Sequence, residues 1–260
     1  MEWIHQVSTE WLDARKDVIT ATELVGLRTG FSKLNSKQKA GEEVGQAFAA
    51  LWGKKHSIAP TDPMSYGAAA RGHWAEPFAV DDFNTNEVGS KMYHWDDVII
   101  VNDGIGFSPD ALNMEQKDDS PRLEVKQGKI AGYKTKPTEI LEIKSYGIEN
   151  HMKSLAKTAA QQDERWQLAV AMMVLPCLKT AYLLHYNPEA DFSMIVHKYS
   201  REDLEKEIKE LQGLVEMWHA TCRWFNNNTI QYRARHTEQD IEEACNAWLE
   251  ENSKGGVLVL

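Results

Sequence analysis

Four short motifs bring together residue types suited to phosphodiester chemistry. In chain order they are Gly72-x-x-x-Glu76, Ser108-Pro109-Asp110, Leu141-Glu142-Ile143-Lys144, and Gln167 at the head of an apolar helix. Two carboxylates about 4 Å apart repel by roughly 4 kcal/mol at an effective dielectric near 20, so a fold that gathers three of them normally holds a cation between them. Hard oxygen donors without a His or Cys cluster point to Mg²⁺, with Mn²⁺ able to substitute, rather than to Zn²⁺. The chemistry this predicts is metal-assisted hydrolysis of a phosphodiester.

Each motif alone has a plainer reading. Alternate side chains of a strand share a face, so Glu142 and Lys144 point one way while Leu141 and Ile143 point into the core. That geometry sets a cation-binding carboxylate beside an ammonium able to orient or deprotonate a water, or to neutralise a phosphate, with the Ile143 carbonyl as a further ligand. A lone Glu-x-Lys is usually a surface ion pair, and Glu124-Val125-Lys126 has the same form. Glu142 is preferred because longer apolar structure flanks it and helices follow it directly. Ser-Pro-Asp is by default a turn, in which Pro fixes φ and Asp bonds its own backbone. Functionally it would present Asp110 from a strand edge, with Ser108 free for a phosphate oxygen. Glu76 alone would be an exposed helix residue, and Gln167 the polar edge of a core helix. A separate segment, Arg15-x-x-Val18-Ile19-Thr20-Ala21-Thr22, reads as an anion site: if Thr20 caps a helix, Thr22 and the free amides of the first turn face the anion, with Arg15 approaching from the preceding helix. Simple capping plus a surface Arg explains that segment equally well.

Composition narrows the class. With 42% hydrophobic residues and nine Trp in 260 residues, the chain can bury a substantial core. Three dispersed cysteines, Cys177, Cys222 and Cys245, form no C-x-x-C pair, which argues against a disulfide framework or a zinc site and predicts a reducing cytoplasm. No apolar run is long enough to cross a bilayer, and the N-terminus lacks a basic region followed by an apolar one. The balance of 29 basic against 39 acidic residues, a formal charge of −10, excludes a protein that coats nucleic acid by bulk attraction. Any DNA contact must be local, and Lys33, Lys37 and Lys39, Lys54 and Lys55, Lys126, Lys129, Lys134 and Lys136, and Lys153 and Lys157 are the candidate clusters.

The elements that must position these groups follow from pattern. A first short helix carries Trp11, Leu12 and Arg15, and Thr20-Ala21-Thr22-Glu23 reads as a capping box opening a second. An amphipathic stretch runs over about Ser36 to Trp52. Pro77 predicts a kink after Glu76 or a fresh helix start. Strands are expected over Val98 to Val101, Ile105 to Asn113, Arg122 to Lys126, Thr138 to Lys144, Lys179 to Tyr186 and Phe192 to Tyr199, with an exposed basic loop over Gly128 to Pro137. Helices are expected over Ile148 to Ala160 and Gln161 to Leu175. Ser200 caps a long helix with the stripe Leu204, Ile208, Leu211, Val215, Trp218, Cys222 and Phe225. A short helix from Thr237 with Ile241, Cys245 and Trp248 precedes a Val-Leu-Val-Leu tail. The architecture is α/β, a mixed central sheet flanked by helices with a helical C-terminal addition. Residues 1–200 form the core with its N-terminal helices, and 201–260 an extension packed on the same domain.

Taken together, the ordered motifs from Trp11 to Tyr199, including Tyr186-Asn187-Pro188, resemble the lambda-type (YqaJ-like) viral recombination exonucleases of the PD-(D/E)xK superfamily. The resemblance implies a restriction-endonuclease-like core and a 5′ to 3′ exonuclease on double-stranded DNA ends that leaves 3′ single strands for recombination. It implies a toroidal homotrimer, phage- or prophage-encoded, beside a single-strand annealing protein. Carried over by position, Asp110, Glu142 and the Ile143 carbonyl bind the first of two Mg²⁺ ions, with Glu76 a further acidic ligand. Lys144 and Gln167 handle the water, and Arg15, Thr22 and Ser108 hold the terminal 5′ phosphate. The chain departs from the family in having Asn150, His151 and Lys153 where an Arg usually follows the Glu-x-Lys strand. It also has a longer Asp110 to Glu142 gap and Thr rather than Ser at Thr22. Other readings remain: an endonuclease of the same superfamily, of restriction or repair type, or a non-catalytic DNA-binding or assembly module.

Overall fold

The structure is a computed structural model, describing residues 11, 14–15, 18–33, 40–55, 66–96, 98–117, 121–157, 164–228 and 243. The expected short helix from Thr237, the Gly255-Gly256 tail, and the cluster residues Lys37 and Lys39 lie outside these. In chain order the elements are β1 (Ile19–Thr20), α1 (Ala21–Lys33), α2 (Ala40–Lys55), α3 (Tyr66–Thr85), β2 (Tyr93–His94), β3 (Ile99–Asn102), β4 (Ile105–Phe107), β5 (Ala111–Leu112), β6 (Arg122–Lys126), β7 (Lys129–Ile130), β8 (Glu139–Ser145), α4 (Ile148–Leu155), α5 (Arg165–Val174), β9 (Thr180–Tyr186), β10 (Met194–Ser200) and α6 (Glu205–Asn228).

The mixed sheet expected from sequence is divided in two. One sheet has the order β1-β4-β3-β6-β7, the other β10-β9-β8-β5-β2. Between Phe107 and Ala111 the chain leaves the first sheet and enters the second, so Ser108-Pro109-Asp110 is the crossing point. The Pro suits it, since Pro109 lacks the N–H that an uninterrupted ladder would use. The pattern read as one strand from Ile105 to Asn113 is therefore two short strands on different sheets. The expected loop over Gly128 to Pro137 also carries structure. Gln127 and Gly128 take positive φ of 53° and 71°, a turn that folds β7 back on β6 and buries Ile130.

Two apolar layers cover the opposite faces of β8. On one face Leu141 and Ile143 pack with Ala75, Ala79, Val80 and Phe83 of α3. On the other, Ile140 joins the larger core that includes Trp166, Leu168, Ala169 and Met172 of α5 and Leu211, Val215 and Trp218 of α6. This is the alternation read from sequence, and it leaves Glu142 and Lys144 on the α5 side. The α6 stripe is likewise as expected: Leu204, Ile208, Leu211, Val215 and Trp218 are buried, and Cys222 and Phe225 half-buried. Ser200 and Asp203 bond reciprocally where that helical segment begins, Ser200 N–H donating at 2.8 Å and Asp203 N–H returning at 3.2 Å.

The capping box at Thr20 forms as expected. Thr20 N–H donates to Glu23 Oε2 at 2.8 Å, and Glu23 N–H to Thr20 Oγ1 at 3.4 Å. Pro77 does not end or restart a helix, because α3 runs through it from Tyr66 to Thr85. Pro77 lies on the exposed side of α3, away from the face that packs on β8. The apolar face opposite needs no correction for the lost bond, and packing against β8 holds the helix whole.

Gly106 is a point of close approach. A Cβ there would stand 2.7 Å from both Ile99 Cδ1 and Val18 Cγ2, pressing β4 away from the segment that enters β1. Gly106→Val should lower stability by about 1–3 kcal/mol through overpacking. A urea midpoint equal to wild type would contradict this tight fit.

Candidate active site

Asp110 is fixed by the backbone of β8. Its Oδ2 accepts the Ile143 amide at 2.6 Å, and its own carbonyl accepts the Trp95 amide at 3.0 Å. β5 and β8 pair antiparallel with Ala111 opposite Leu141, so continuing the register by one residue sets Asp110 opposite Glu142. Glu142 in turn takes the Lys144 ammonium on Oε1 at 2.7 Å, both side chains being largely covered. Asp110, Glu142, Ile143 and Lys144 therefore come together as the sequence predicts.

Glu124 is excluded from this group by the fold. It belongs to β6 in the other sheet, its side chain is 56% exposed, and its partner is Lys126 at 3.4 Å. The two Glu-x-Lys segments look alike in sequence, and only the pairing of β8 with β5 distinguishes them.

The electrostatics show an excess of negative charge. Burial, then the charges of Glu142 and Glu76, push the Asp110 carboxyl well above the usual carboxylate range, and Lys144 and the Ile143 amide only partly offset them. Burial opposes the charge on Lys144, but Glu142 and Asp110 outweigh it and hold the ammonium more firmly protonated than a free lysine. As it stands Lys144 is a fixed cation, suited to orienting a water or meeting phosphate charge rather than to accepting a proton. Glu76 reaches the group from α3 but is engaged elsewhere. Its two oxygens meet His73 Nδ1 at 3.4 Å and His94 Nε2 at 3.2 Å. Burial works against its charge, yet the two imidazoles bring its pKa down to about 2.

The donors available to a cation are all oxygens: the carboxylates of Asp110 and Glu142 and the carbonyl of Ile143. Among the described residues no three His, Cys, Asp or Glu side chains are gathered tightly enough to enclose a metal unaided. Two carboxylates with water completing the shell is the arrangement Mg²⁺ commonly takes, so the donor set fits that ion. The raised Asp110 carboxyl agrees with this, since a divalent charge would offset the burial and the Glu142 and Glu76 charges that raise it.

The anion-site residues occupy a neighbouring arm. β1 pairs parallel with β4, Thr20 opposite Gly106, so Thr22 and Ser108, each two residues further on, lie beyond the same ends of the two strands. Trp11 links this arm to the crossing point: its indole N–H donates to Ser108 Oγ at 3.3 Å, and the Arg15 guanidinium lies over its ring at 4.2 Å. Lys55, at the end of α2, fastens the arm by donating to the carbonyls of Arg15 at 3.1 Å and Val18 at 2.5 Å and pairing with Glu23 at 2.9 Å. Thr22 is exposed in the first turn of α1.

The YqaJ-like viral recombinase domain model matches residues 10–182, a span holding every one of these groups. The chain belongs to the YqaJ-like viral recombinase family. No curated protein matches the sequence. Among solved structures, LHK-Exo in complex with dAMP superposes with a TM-score of 0.52 at 16% identity, covering 96% of this chain and 100% of that one. The alkaline exonuclease LHK-Exo from Laribacter hongkongensis does so with a TM-score of 0.52 at 16% identity, covering 85% and 97%. A phage-related exonuclease from Haemophilus somnus 129PT gives 0.48 at 14% identity, covering 82% and 96%. The first two share the fold, and the expected restriction-endonuclease-like architecture is the one observed.

Within this family fold, several residues near the site have no counterpart in the sequence reading. Tyr146, the residue just after β8 and two positions beyond Lys144, donates its hydroxyl to Glu164 Oε1 at the head of α5. Beside Lys144 on β9 lies His185, fully buried, with both ring nitrogens lacking a partner among the described residues and its pKa brought down to about 4 by burial. Gln167 is on α5 as expected, its Oε1 buried without a partner among those residues. Tyr146 could have been suspected because it follows Glu142 and Lys144 at the same spacing of two, and Glu164 because it precedes Gln167 by one helical turn. His73 and His94 gave no such signal.

A carboxyl raised by folding favours the folded state below its unfolded pKa and loses that contribution as pH rises through the folded pKa. Asp110→Asn removes this liability while keeping an oxygen to accept the Ile143 amide. In metal-free buffer near pH 7 it should melt higher than wild type, by about 2–4 °C for each kcal/mol relieved, and the gap should close as the pH falls toward 4. An Asp110→Asn protein melting at or below wild type at neutral pH would show that the site is not strained by like charge.

Proposed function

We propose that this chain is a Mg²⁺-dependent exonuclease that digests double-stranded DNA from 5′ to 3′ and leaves 3′ single strands for recombination by strand annealing. The observation that carries the reading is Asp110 held on the Ile143 amide beside the Glu142–Lys144 pair, in a chain of a viral recombinase family. Two solved structures sharing the fold, the alkaline exonuclease LHK-Exo and LHK-Exo in complex with dAMP, support the same reaction class.

In this reading Asp110, Glu142 and the Ile143 carbonyl hold the first of two cations, and Glu76, once released from its imidazoles, serves as a further acidic ligand. Bound Mg²⁺ supplies Lewis-acid charge at the attacked phosphorus and the leaving oxygen. Lys144, already a firm cation, orients the attacking water and faces a phosphate oxygen, with Gln167 contributing its amide. Arg15, Thr22 and Ser108 receive the terminal 5′ phosphate, the arm that carries Arg15 being held by Lys55. The negative surface would repel DNA everywhere except at such local cationic points. A toroidal homotrimer and an annealing partner in the host cytoplasm belong to the same proposal. Among the described residues no helix is long and apolar enough to cross a membrane.

A time course on 5′-phosphorylated linear duplex with Mg²⁺, resolved strand by strand, tests the whole reading. Asp110→Ala and Lys144→Ala should each lower the rate by at least a thousandfold while the protein stays folded, and wild-type rates in either would remove the assignment. Replacing the 5′ phosphate by hydroxyl should slow initiation, and Arg15→Ala should shrink that difference several-fold. Covalently closed circular DNA should survive. Its cleavage would favour the alternative, an endonuclease of restriction or repair type.

A further inference from the structure

The Lys144 ammonium rests on Glu142, one of the carboxylates assigned to the cation. An ammonium and a divalent ion compete for that carboxylate, so cation binding requires Lys144 to find another acceptor or share Glu142 at a cost. Three features mark where it goes. Glu142 and Lys144 alternate along β8 and so share one face, and Tyr146 follows directly after its last residue, its ring 5.4 Å from that of His185, the β9 neighbour of Lys144. The Tyr146 hydroxyl donates to Glu164 Oε1, which brings the head of α5 over that face and fixes the Glu164 carboxylate there. The second oxygen, Glu164 Oε2, is buried and has no partner among the described residues. A buried carboxylate oxygen with nothing to accept is costly unless a cation reaches it in some state of the molecule. Lys144 already feels the negative charge of Glu164.

We propose that Glu164 is the alternate seat of Lys144. When a divalent ion takes Glu142, the ammonium moves along the strand face to Glu164 Oε2, and Tyr146 keeps that carboxylate in place to receive it. Glu164 is thus a positioning residue: it touches neither cation nor DNA, but it frees Glu142 and sets where the ammonium stands during hydrolysis. This rests on the cation reading of Asp110 and Glu142, and it assigns a partner that the ordered sequence motifs do not contain.

The test uses the DNA-free protein and Mn²⁺ as probe, with free ion followed by its electron spin resonance signal. Glu164→Gln, which keeps the shape and a hydrogen-bonding oxygen for Tyr146, should weaken Mn²⁺ binding by about tenfold, the equivalent of about 1.4 kcal/mol. Tyr146→Phe, which removes only the hydroxyl, should weaken it in the same direction by about threefold. In a Lys144→Met background, where no ammonium competes for Glu142, Glu164→Gln should cause no further change. Wild-type affinity in Glu164→Gln would overturn the proposal, whatever Tyr146→Phe does. So would an undiminished effect in the Lys144→Met background, which would reduce Glu164 to a distant negative charge. If the wild-type protein binds no Mn²⁺, the cation reading falls and this proposal with it. If wild type binds and Glu164→Gln binds equally, this proposal alone falls.

Discussion

The hydrogen bond from the Ile143 amide to the Asp110 carboxylate is the contact on which the rest of the site depends. It ties the residue that follows the sheet crossing to the middle of the strand that carries Glu142 and Lys144, and it does so with a donor that cannot be rotated away. A backbone N–H within a paired strand is as rigid a group as a protein offers, and a charge-assisted bond to it is stronger than a neutral one. Having fixed Asp110 there, the fold sets two carboxylates side by side in a covered place and leaves one lysine between them and neutrality. In the proposed reading, the strain in Asp110 is the expected cost of a site prepared for an ion it has to attract.

The scaffold around this contact keeps the charges in place from both sides. α3 packs its small residues Ala75 and Ala79 against Leu141 and Ile143, while α5 and α6 cover the opposite face through Ile140 and the larger core. Because β8 is held from both faces, its middle divides the labour: Leu141 and Ile143 supply packing, and Glu142 and Lys144 the polar groups. Glu76 sits at the margin of this arrangement, retained by His73 and His94. Its helix passes Pro77 without interruption because the proline faces water and the packing face loses nothing.

Much of the site was legible because it depends on short-range regularity. Period-two alternation placed Glu142 with Lys144 and apart from Ile143, and the Thr20-to-Glu23 spacing named a capping box whose two bonds are present. What sequence left open depends on pairing between distant segments. Glu124 and Glu142 share the pattern Leu-Glu-x-Lys, the longer apolar flank of Glu142 only favours it, and the strand beside each decides between them. The split into two sheets was hidden because Ile105 to Asn113 reads as one apolar run, and an intervening Pro does not say to which sheet the next strand goes. The Tyr146–Glu164 and His94–Glu76 contacts join residues 18 apart in each case, a separation that no local pattern reads.

The crossing from one sheet to the other has a consequence for how this chain can vary over time. Between Phe107 and Ala111 there are three residues, and both flanking strands are locked in register, β4 to β3 and β5 to β8. A single inserted or deleted codon there would turn Asp110 away from Ile143, so lineages should keep that stretch at constant length whatever else drifts. The connection from β5 to β8 carries the β6–β7 hairpin and much exposed chain, and can lengthen or shorten without disturbing either anchor. Length differences between relatives should therefore accumulate after Leu112 and be nearly absent just before it.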